Sequence, residues 1–336
     1  MELALAPPPA APVSESSTPT FSAIIAAYQA TEFIGDAIES LLAQTLPPIE
    51  IIVCDDASTD DLAGAVAPYR ERVVLLHRQE NGGPAAARNT AARAASGDFL
   101  AVLDSDDVYL PERLEALAEL SVHRPDLDVL TTDCLVVVDG RFARNCYHAG
   151  YRFAIDDQRR AILEENFVGP GHMAVRRERF LAVGGFDESF RRGEDWDCWI
   201  RMIFSGSRVG LVNQPLAEYR VRETSLASDR IRLFEGRVAV LEKAALRSDL
   251  SNEERAVLTR SLLAERRRLA LRKAHAALVE GRPDARRLAL EIALTNSFPP
   301  GARLKAAMAV ALPGLARRRL AAQDRGRREL AGGVSG

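Results

Sequence analysis

The chain has 336 residues, 47% of them apolar and 27% charged, with a formal net charge of −3 at pH 7. That is an ordinary globular composition, long enough for one large domain or two medium ones. No stretch reaches the ~18 consecutive apolar residues of a membrane-spanning helix, and no nucleic-acid partner is expected.

The charge is unevenly spread. Residues 229–336 hold 23 Lys/Arg and 12 Asp/Glu, which leaves 21 basic and 35 acidic residues in 1–228. An acidic body followed by a basic tail implies two parts with different surroundings. Cys54, Cys134, Cys146 and Cys198 form no C-x-x-C pair. That is a poor disulfide or zinc framework and fits a reducing cytoplasm. The opening "MELALAPPPAAPVSESSTPT" lacks a basic n-region and is broken by prolines. It reads as a disordered leader over residues 1–20, not as a signal peptide.

From residue 21 the pattern alternates. "FSAIIAAY" is a short apolar strand. "TEFIGDAIESLLAQT" puts Phe33, Ile34, Ala37, Ile38, Leu41 and Leu42 on one helical face, with Thr31 as its N-cap. "IEIIVCDD" is a second strand, "STDDLAGAVAPYRER" a short helix and "VVLLHRQE" a third strand. A Gly turn leads into a helix entered through Pro84 and stopped at Gly97. "DFLAVLDSDD" is the fourth strand, a helix begins at Pro111, and "DVLTTDCLVVVDG" is the fifth strand. Continuous apolar strands alternating with helices predict a mostly parallel sheet covered on both faces, a Rossmann-like α/β fold.

Residues 141–228 are less regular. Within them Trp196, Trp199, Ile200 and Ile203 mark one apolar helical face, ended by Gly206. From 229 the chain is Ala-, Leu- and Arg-rich and helical in period, with breaks at Gly281–Pro283, Pro299–Gly301 and Pro313–Gly314. The expected organisation is a leader over 1–20, an α/β domain over 21–228 and a helical annex over 229–336.

Parallel sheets bind ligands at the carboxyl ends of their strands. Neither G-x-G-x-x-G nor G-x-x-x-x-G-K-[ST] follows any strand, so a dinucleotide or P-loop site is not expected. Two strands instead end in acids: Asp55 and Asp56 on the second, Asp104, Asp106 and Asp107 on the fourth. Carboxylates gathered on one edge disfavour each other's ionisation unless a cation lies among them. Hard oxygen donors suit Mg²⁺ or Mn²⁺, which leave positions open for phosphate oxygens. The ligand suggested is a nucleoside diphosphate derivative. "ENGGPAAARN" adds a helix N-terminus and Arg88, which fit a phosphate or an ordinary strand-to-helix turn. Glu194 and Asp195 open the Trp196 helix, where they serve as caps or supply a general base.

"FSAIIAAYQATEFIGDAIESLLAQT", "IEIIVCDDASTDD", "NGGPAAARNTAARAASGDFLAVLDSDDVYLPERLE" and "VGGFDESFRRGEDWDCWIRM" together resemble a family 2 glycosyltransferase of the GT-A fold over roughly residues 20–225. The resemblance implies metal-assisted, inverting transfer of a sugar from a nucleotide-diphosphate sugar, with a UDP-sugar favoured, to a hydroxyl of a glycan or lipid-linked acceptor. It makes Asp104, Ser105 and Asp106 the family's D-x-D. Asp106, with Asp107 as the alternative, would hold Mn²⁺ or Mg²⁺, and Asp104 and Ser105 would contact the donor. Asp56, Tyr28 and the neighbouring Ala26 would meet the nucleotide base, and Arg88 would stand beside it. Asp195, preceded by Glu194, matches the catalytic base. The sequence departs from the family at Gln29, commonly Asn, at Ala26, often Pro, and at Arg222, often His.

Three rivals are weaker. "DSDDV" also fits the D-x-D-x-V of haloacid dehalogenase phosphohydrolases, but that motif ends a first strand. A receiver domain needs its acid pair on the first strand and a Lys after the last. A glycosyltransferase fold without activity would be a binding module. For the basic tail, "GARLKAAMAVALPGLARRRLAAQ" leaves three readings open: peripheral membrane contact at the inner face, packing on the catalytic domain, or dimerisation.

Overall fold

A computed structural model describes residues 18–148, 151–169, 172–221 and 229–320. The expected leader lies almost wholly outside these residues, as do Arg222 and the last three residues of the quoted tail stretch.

The chain divides into two compact units. The first comprises residues up to 155 with 168–185 and 205–220. Its elements are β1 (Phe21–Ala27), α1 (Ile34–Leu42), β2 (Glu50–Asp55), α2 (Leu62–Val66), β3 (Val73–His77), α3 (Pro84–Ala94), β4 (Phe99–Asp104), β5 (Val108–Tyr109), α4 (Arg113–His123), β6 (Val129–Val138) and β7 (Arg141–Asn145). After α5 (Gln158–Glu164), which belongs to the second unit, come β8 (Met173–Arg176) and α6 (Arg177–Ala182). Then, past α7 (Glu194–Phe204), β9 (Val209–Val221) completes the sheet. The strand order is β3-β2-β1-β4-β8-β6-β9-β5, with β7 paired to β6.

The first four strands pair in parallel, as expected. β8 inserts antiparallel between β4 and β6, so β6 runs in the direction of β4. The irregular stretch thus supplies β7, β8 and β9, which its sequence does not announce. The core is the continuous apolar run of each central strand. In β4, Phe99 to Leu103 are each at most 1% exposed. Burying such side chains contributes about 2 kcal/mol apiece and fixes where the strand ends.

Helix α1 starts later than its sequence suggests. Phe33, not Thr31, occupies the N-cap position, and no side chain caps it. Thr31 instead donates from its hydroxyl (2.6 Å) and backbone N–H (3.1 Å) to Asp60. Thr31 is thus tied to Asp60 ahead of the helix, which begins without a side-chain cap.

The second unit groups 156–167 and 186–204 with the residues from 221 onward, so it is not contiguous in sequence. It contains α5, α7, α8 (Arg230–Ala245), α9 (Asn252–Glu280), α10 (Ala285–Leu294) and α11 (Pro300–Ala311). The Trp196 indole donates to the Ile162 carbonyl at 2.7 Å, joining α7 to α5. Arg159 pairs with Glu254 at 2.7 Å, joining α5 to α9. Arg159 and Arg247 both stack on the Phe204 ring, at 4.2 and 4.6 Å. Ser251 and Glu254 form a reciprocal capping box at the start of α9. Gly281 ends that helix at φ +72°, where a Cβ would be strained.

Candidate functional site

The parallel register puts both acid-ended strands on one edge. Asp104 of β4 lies opposite Ala26 of β1, and Asp55 of β2 lies opposite Ala27. Tyr28 follows directly and is 49% exposed, so its ring is available at that edge.

The acids differ sharply in environment. Asp104, Ser105 and Asp106 are partly exposed, while Asp107 is buried. Arg88 reaches from α3 to Asp104, its Nη2 2.5 Å from Oδ1, in a pair that is mostly enclosed. Arg88 therefore orients the first acid of the motif. Both Asp107 oxygens are engaged. Oδ1 accepts the backbone N–H of Arg220 at 2.7 Å, and Oδ2 meets His172 Nε2 at 2.7 Å. Burial pushes the Asp107 carboxyl up, and His172 opposes that shift. Asp107 is thus a strut beneath the loop, whereas Asp106 is partly exposed.

A buried polar platform continues behind it. The His172 ring lies edge-on to Tyr109 at 6.2 Å and to Tyr219 at 6.0 Å. Arg113 is fully buried, with its guanidinium 4.4 Å from the centre of the Tyr109 ring. It donates to Thr132 Oγ1 and to the His172 carbonyl. The Tyr109 hydroxyl donates to the Val102 carbonyl within β4. Burial pushes the Tyr109 phenol up to about 12, so it stays a neutral donor. Sequence reasoning missed His172, Tyr109 and Arg113. Arg113 looks like a helix-surface Arg in "PERLEAL", and His172 stands alone before a short apolar run.

Asp56 is 2% exposed. Its carboxylate accepts from Arg78 Nε (2.8 Å), Gly82 N (3.0 Å) and Gly83 N (2.7 Å). Asp56 therefore holds the Gly turn that launches α3. Gly83 sits at φ +84°, the conformation that turn requires.

Asp195 and Glu194 belong to the second unit. Asp195 is half-buried at the first turn of α7, where Oδ2 accepts from Asn166 Nδ2 at 2.9 Å and Oδ1 from Trp196 N at 2.7 Å. Glu194 is 8% exposed. Nearby, Lys243 bridges Asp187 (2.7 Å) and Asp197 (2.8 Å). Burial would raise the Asp187 carboxyl, but donors from Lys243 and Ser189 hold it down at about 2.

Among the described residues no cluster of three or more His, Cys, Asp or Glu is gathered to hold a metal unaided. The strand-end donors nevertheless fit Mg²⁺ or Mn²⁺. Such an ion takes one or two carboxylates and completes its shell with phosphate oxygens and water.

Comparison with known proteins agrees with this geometry. The pattern described as "Glycosyl transferase family 2" matches residues 22–184, and that described as "N-terminal domain of galactosyltransferase" matches 151–223. TuaG of Bacillus subtilis, whose name assigns it to glycosyl transfer in teichuronic acid biosynthesis, is 30% identical over 215 residues. That alignment covers 63% of this chain and 83% of TuaG. The fold is that of S. aureus TarS 1-349, solved in complex with UDP-GlcNAc, at a TM-score of 0.62 and 20% identity over 91% of this chain and 92% of TarS 1-349. The mannosyltransferase PcManGT from Pyrobaculum calidifontis, solved with GDP-Man and Mn2+, gives a TM-score of 0.57 at 20% identity, over 92% of this chain and 85% of that one. The haloacid dehalogenase, receiver and inactive-module readings fall with these matches. A GT-A-like α/β sheet, acids at its strand ends and a relative of this similarity lead to one conclusion: the chain belongs to glycosyl transferase family 2 and is a glycosyltransferase.

Proposed function

We propose that the protein transfers a sugar from a nucleotide-diphosphate sugar, with a UDP-sugar favoured, to a hydroxyl of a glycan or lipid-linked saccharide during polysaccharide synthesis. The observation that carries this reading is the edge formed by exposed Tyr28 and the partly exposed Asp104, Ser105 and Asp106. Tyr28 offers a ring face for the base, with Ala26 and Asp56 alongside. Asp104, oriented by Arg88, and Ser105 offer acceptor oxygens to donor hydroxyls. Asp106 would hold the divalent cation, with Asp107 behind it. When bound, that cation supplies Lewis-acid stabilisation of the departing diphosphate.

In the reaction Asp195 takes the proton of the acceptor hydroxyl. The hydroxyl oxygen forms a bond to the anomeric carbon as the bond from that carbon to the diphosphate oxygen breaks. The electron pair leaves with the diphosphate, and one in-line step inverts the configuration. Donation from Asn166 and from Trp196 N holds the Asp195 carboxyl in place for this step. Glu194 precedes it in the same helical turn.

All four cysteines are free and buried, which supports a reducing, cytoplasmic place of action. No described helix is long and apolar enough to cross a membrane.

A thermal-shift panel of nucleoside diphosphates, with and without Mn²⁺, tests the donor site. UDP is expected to raise the melting temperature, and Mn²⁺ to increase that rise. No stabilisation by any diphosphate in either condition would overturn the reading.

A further inference from the structure

Helix α11 is sided in reverse. Its buried face carries small residues. Ala309, 4% exposed, packs with Ala277 and Ala289, and Ala306, 9% exposed, packs with Ala274 and Ile292, with Ala302 against that second cluster. Its solvent face carries the large ones. Leu304 is 64% exposed and Met308 48%, and just past the helix Leu312 is 55% exposed and Leu315 62%. Leu304 and Met308 stand one turn apart on α11 at i and i+4, while Leu312 leaves the helix at its C-cap and Leu315 follows Pro313. A single exposed Leu is ordinary, but four large apolar side chains exposed between residues 304 and 315 mark an interaction surface.

The charge around this surface selects the partner. Residues 281–320 contain eight Lys/Arg and two Asp/Glu. Exposed Lys305 borders it, and Arg317, Arg318 and Arg319, all exposed, follow Leu315 directly. An apolar surface bordered by basic residues, on a helix too short and too charged to span, suits the headgroup layer of an anionic bilayer. A second copy of the chain fits poorly, because a two-fold contact through this surface would bring both basic borders together. Residues 321–336 hold only Leu330 and Val334 as large apolar residues, too few to cover it.

We propose that α11 and the following residues dock the protein on an anionic membrane surface. Leu304, Met308, Leu312 and Leu315 enter the acyl boundary. Lys305, Arg318 and Arg319 meet lipid phosphates. This inference stands apart from the donor-site reading, since it uses none of the same residues.

The test is flotation of the full chain with vesicles of phosphatidylcholine alone, and with vesicles of phosphatidylcholine and phosphatidylglycerol in equal parts. The protein is expected to float with the mixed vesicles and about tenfold less with phosphatidylcholine alone. Leu304→Glu with Met308→Glu should lower partitioning onto mixed vesicles by about tenfold or more. Both side chains face solvent, so the variant should keep the parent's melting transition. Leu312→Gln with Leu315→Gln provides a second pair if the first unfolds. Absence of flotation, or flotation undiminished in a folded variant, would overturn the proposal. So would a dimer in sedimentation velocity that these substitutions dissociate while no vesicle binding occurs.

Discussion

His172 and Asp107 form a buried pair, 2% and 1% exposed, with Nε2 of the ring 2.7 Å from Oδ2 of the carboxylate. The pair joins the loop after β4 to the residue that opens β8, and Asp107 also accepts from the Arg220 backbone in β9. Three strands thus converge on one carboxylate. His172→Ala would leave that carboxylate buried with one donor removed, at an expected cost of about 3 kcal/mol in urea unfolding. The loop carrying Asp104 and Asp106 would lose its strut, so calorimetric affinity for UDP with Mn²⁺ should also fall. A loss of stability below about 1 kcal/mol would mean that water replaces the ring at no penalty and that the pair is no strut.

Asp106 has the opposite character. It is partly exposed, where Asp107 is buried. Asp106→Asn should leave the melting temperature of the free protein within a degree or two, since surface substitutions rarely exceed about 0.5 kcal/mol. The Mn²⁺-dependent part of UDP binding should disappear from the titration. Undiminished Mn²⁺ dependence would move the metal role to a neighbouring acid.

Asp195→Asn keeps the shape of the side chain and removes its basicity. Transfer should fall by about 10³-fold or more, within the range ascribed to a positioned general base. UDP affinity, measured by calorimetry, should stay the same. Full activity in this variant would leave Asp195 only its tie to Asn166 and Trp196.

Lys243 gives a pH-dependent signature. It donates to Asp187, whose carboxyl is held down at about 2 against burial. A depressed folded-state value means that the stabilisation is present above the unfolded value of 3.8 and is lost as pH falls toward about 2. Lys243→Met should remove about 1–2 kcal/mol near neutral pH. The difference between variant and parent should shrink below pH 4, which acid titrations followed by circular dichroism would register. A difference independent of pH would assign the loss to packing of the Lys243 stem on Phe190, whose ring centre lies 5.2 Å from the ammonium.

The legible parts of this protein share one property: they are local. Although α3 ends at Ala94 with Ala95 as its C-cap and does not reach the expected stop at Gly97, its entry at Pro84 and the continuous apolar runs of β1, β2 and β4 follow from period and punctuation within a few residues. The same holds for acids placed directly after a buried strand. Thr31 shows where this fails, because Asp60, 29 residues away, competes for it. The antiparallel β8 fails likewise. Four residues long, it is specified by Leu100 and Leu130 on either side of Ala174 and Val175, not by its own sequence.

The sequence by itself determined that carboxylates would stand at the end of a buried strand, because an apolar run must be buried and its charged neighbours cannot follow it inside. Only the tertiary structure decided among those carboxylates. Asp104, Asp106 and Asp107 are nearly alike as sequence, yet Asp104 meets Arg88, Asp106 is partly exposed, and Asp107 is buried against His172 and the Arg220 backbone. Those partners come from distant segments, and a buried carboxylate is stable only where such donors converge. The basic tail divides the same way. Its composition was plain from the chain, but which apolar residues of α11 remained uncovered depended on the alanines that packing drew inward.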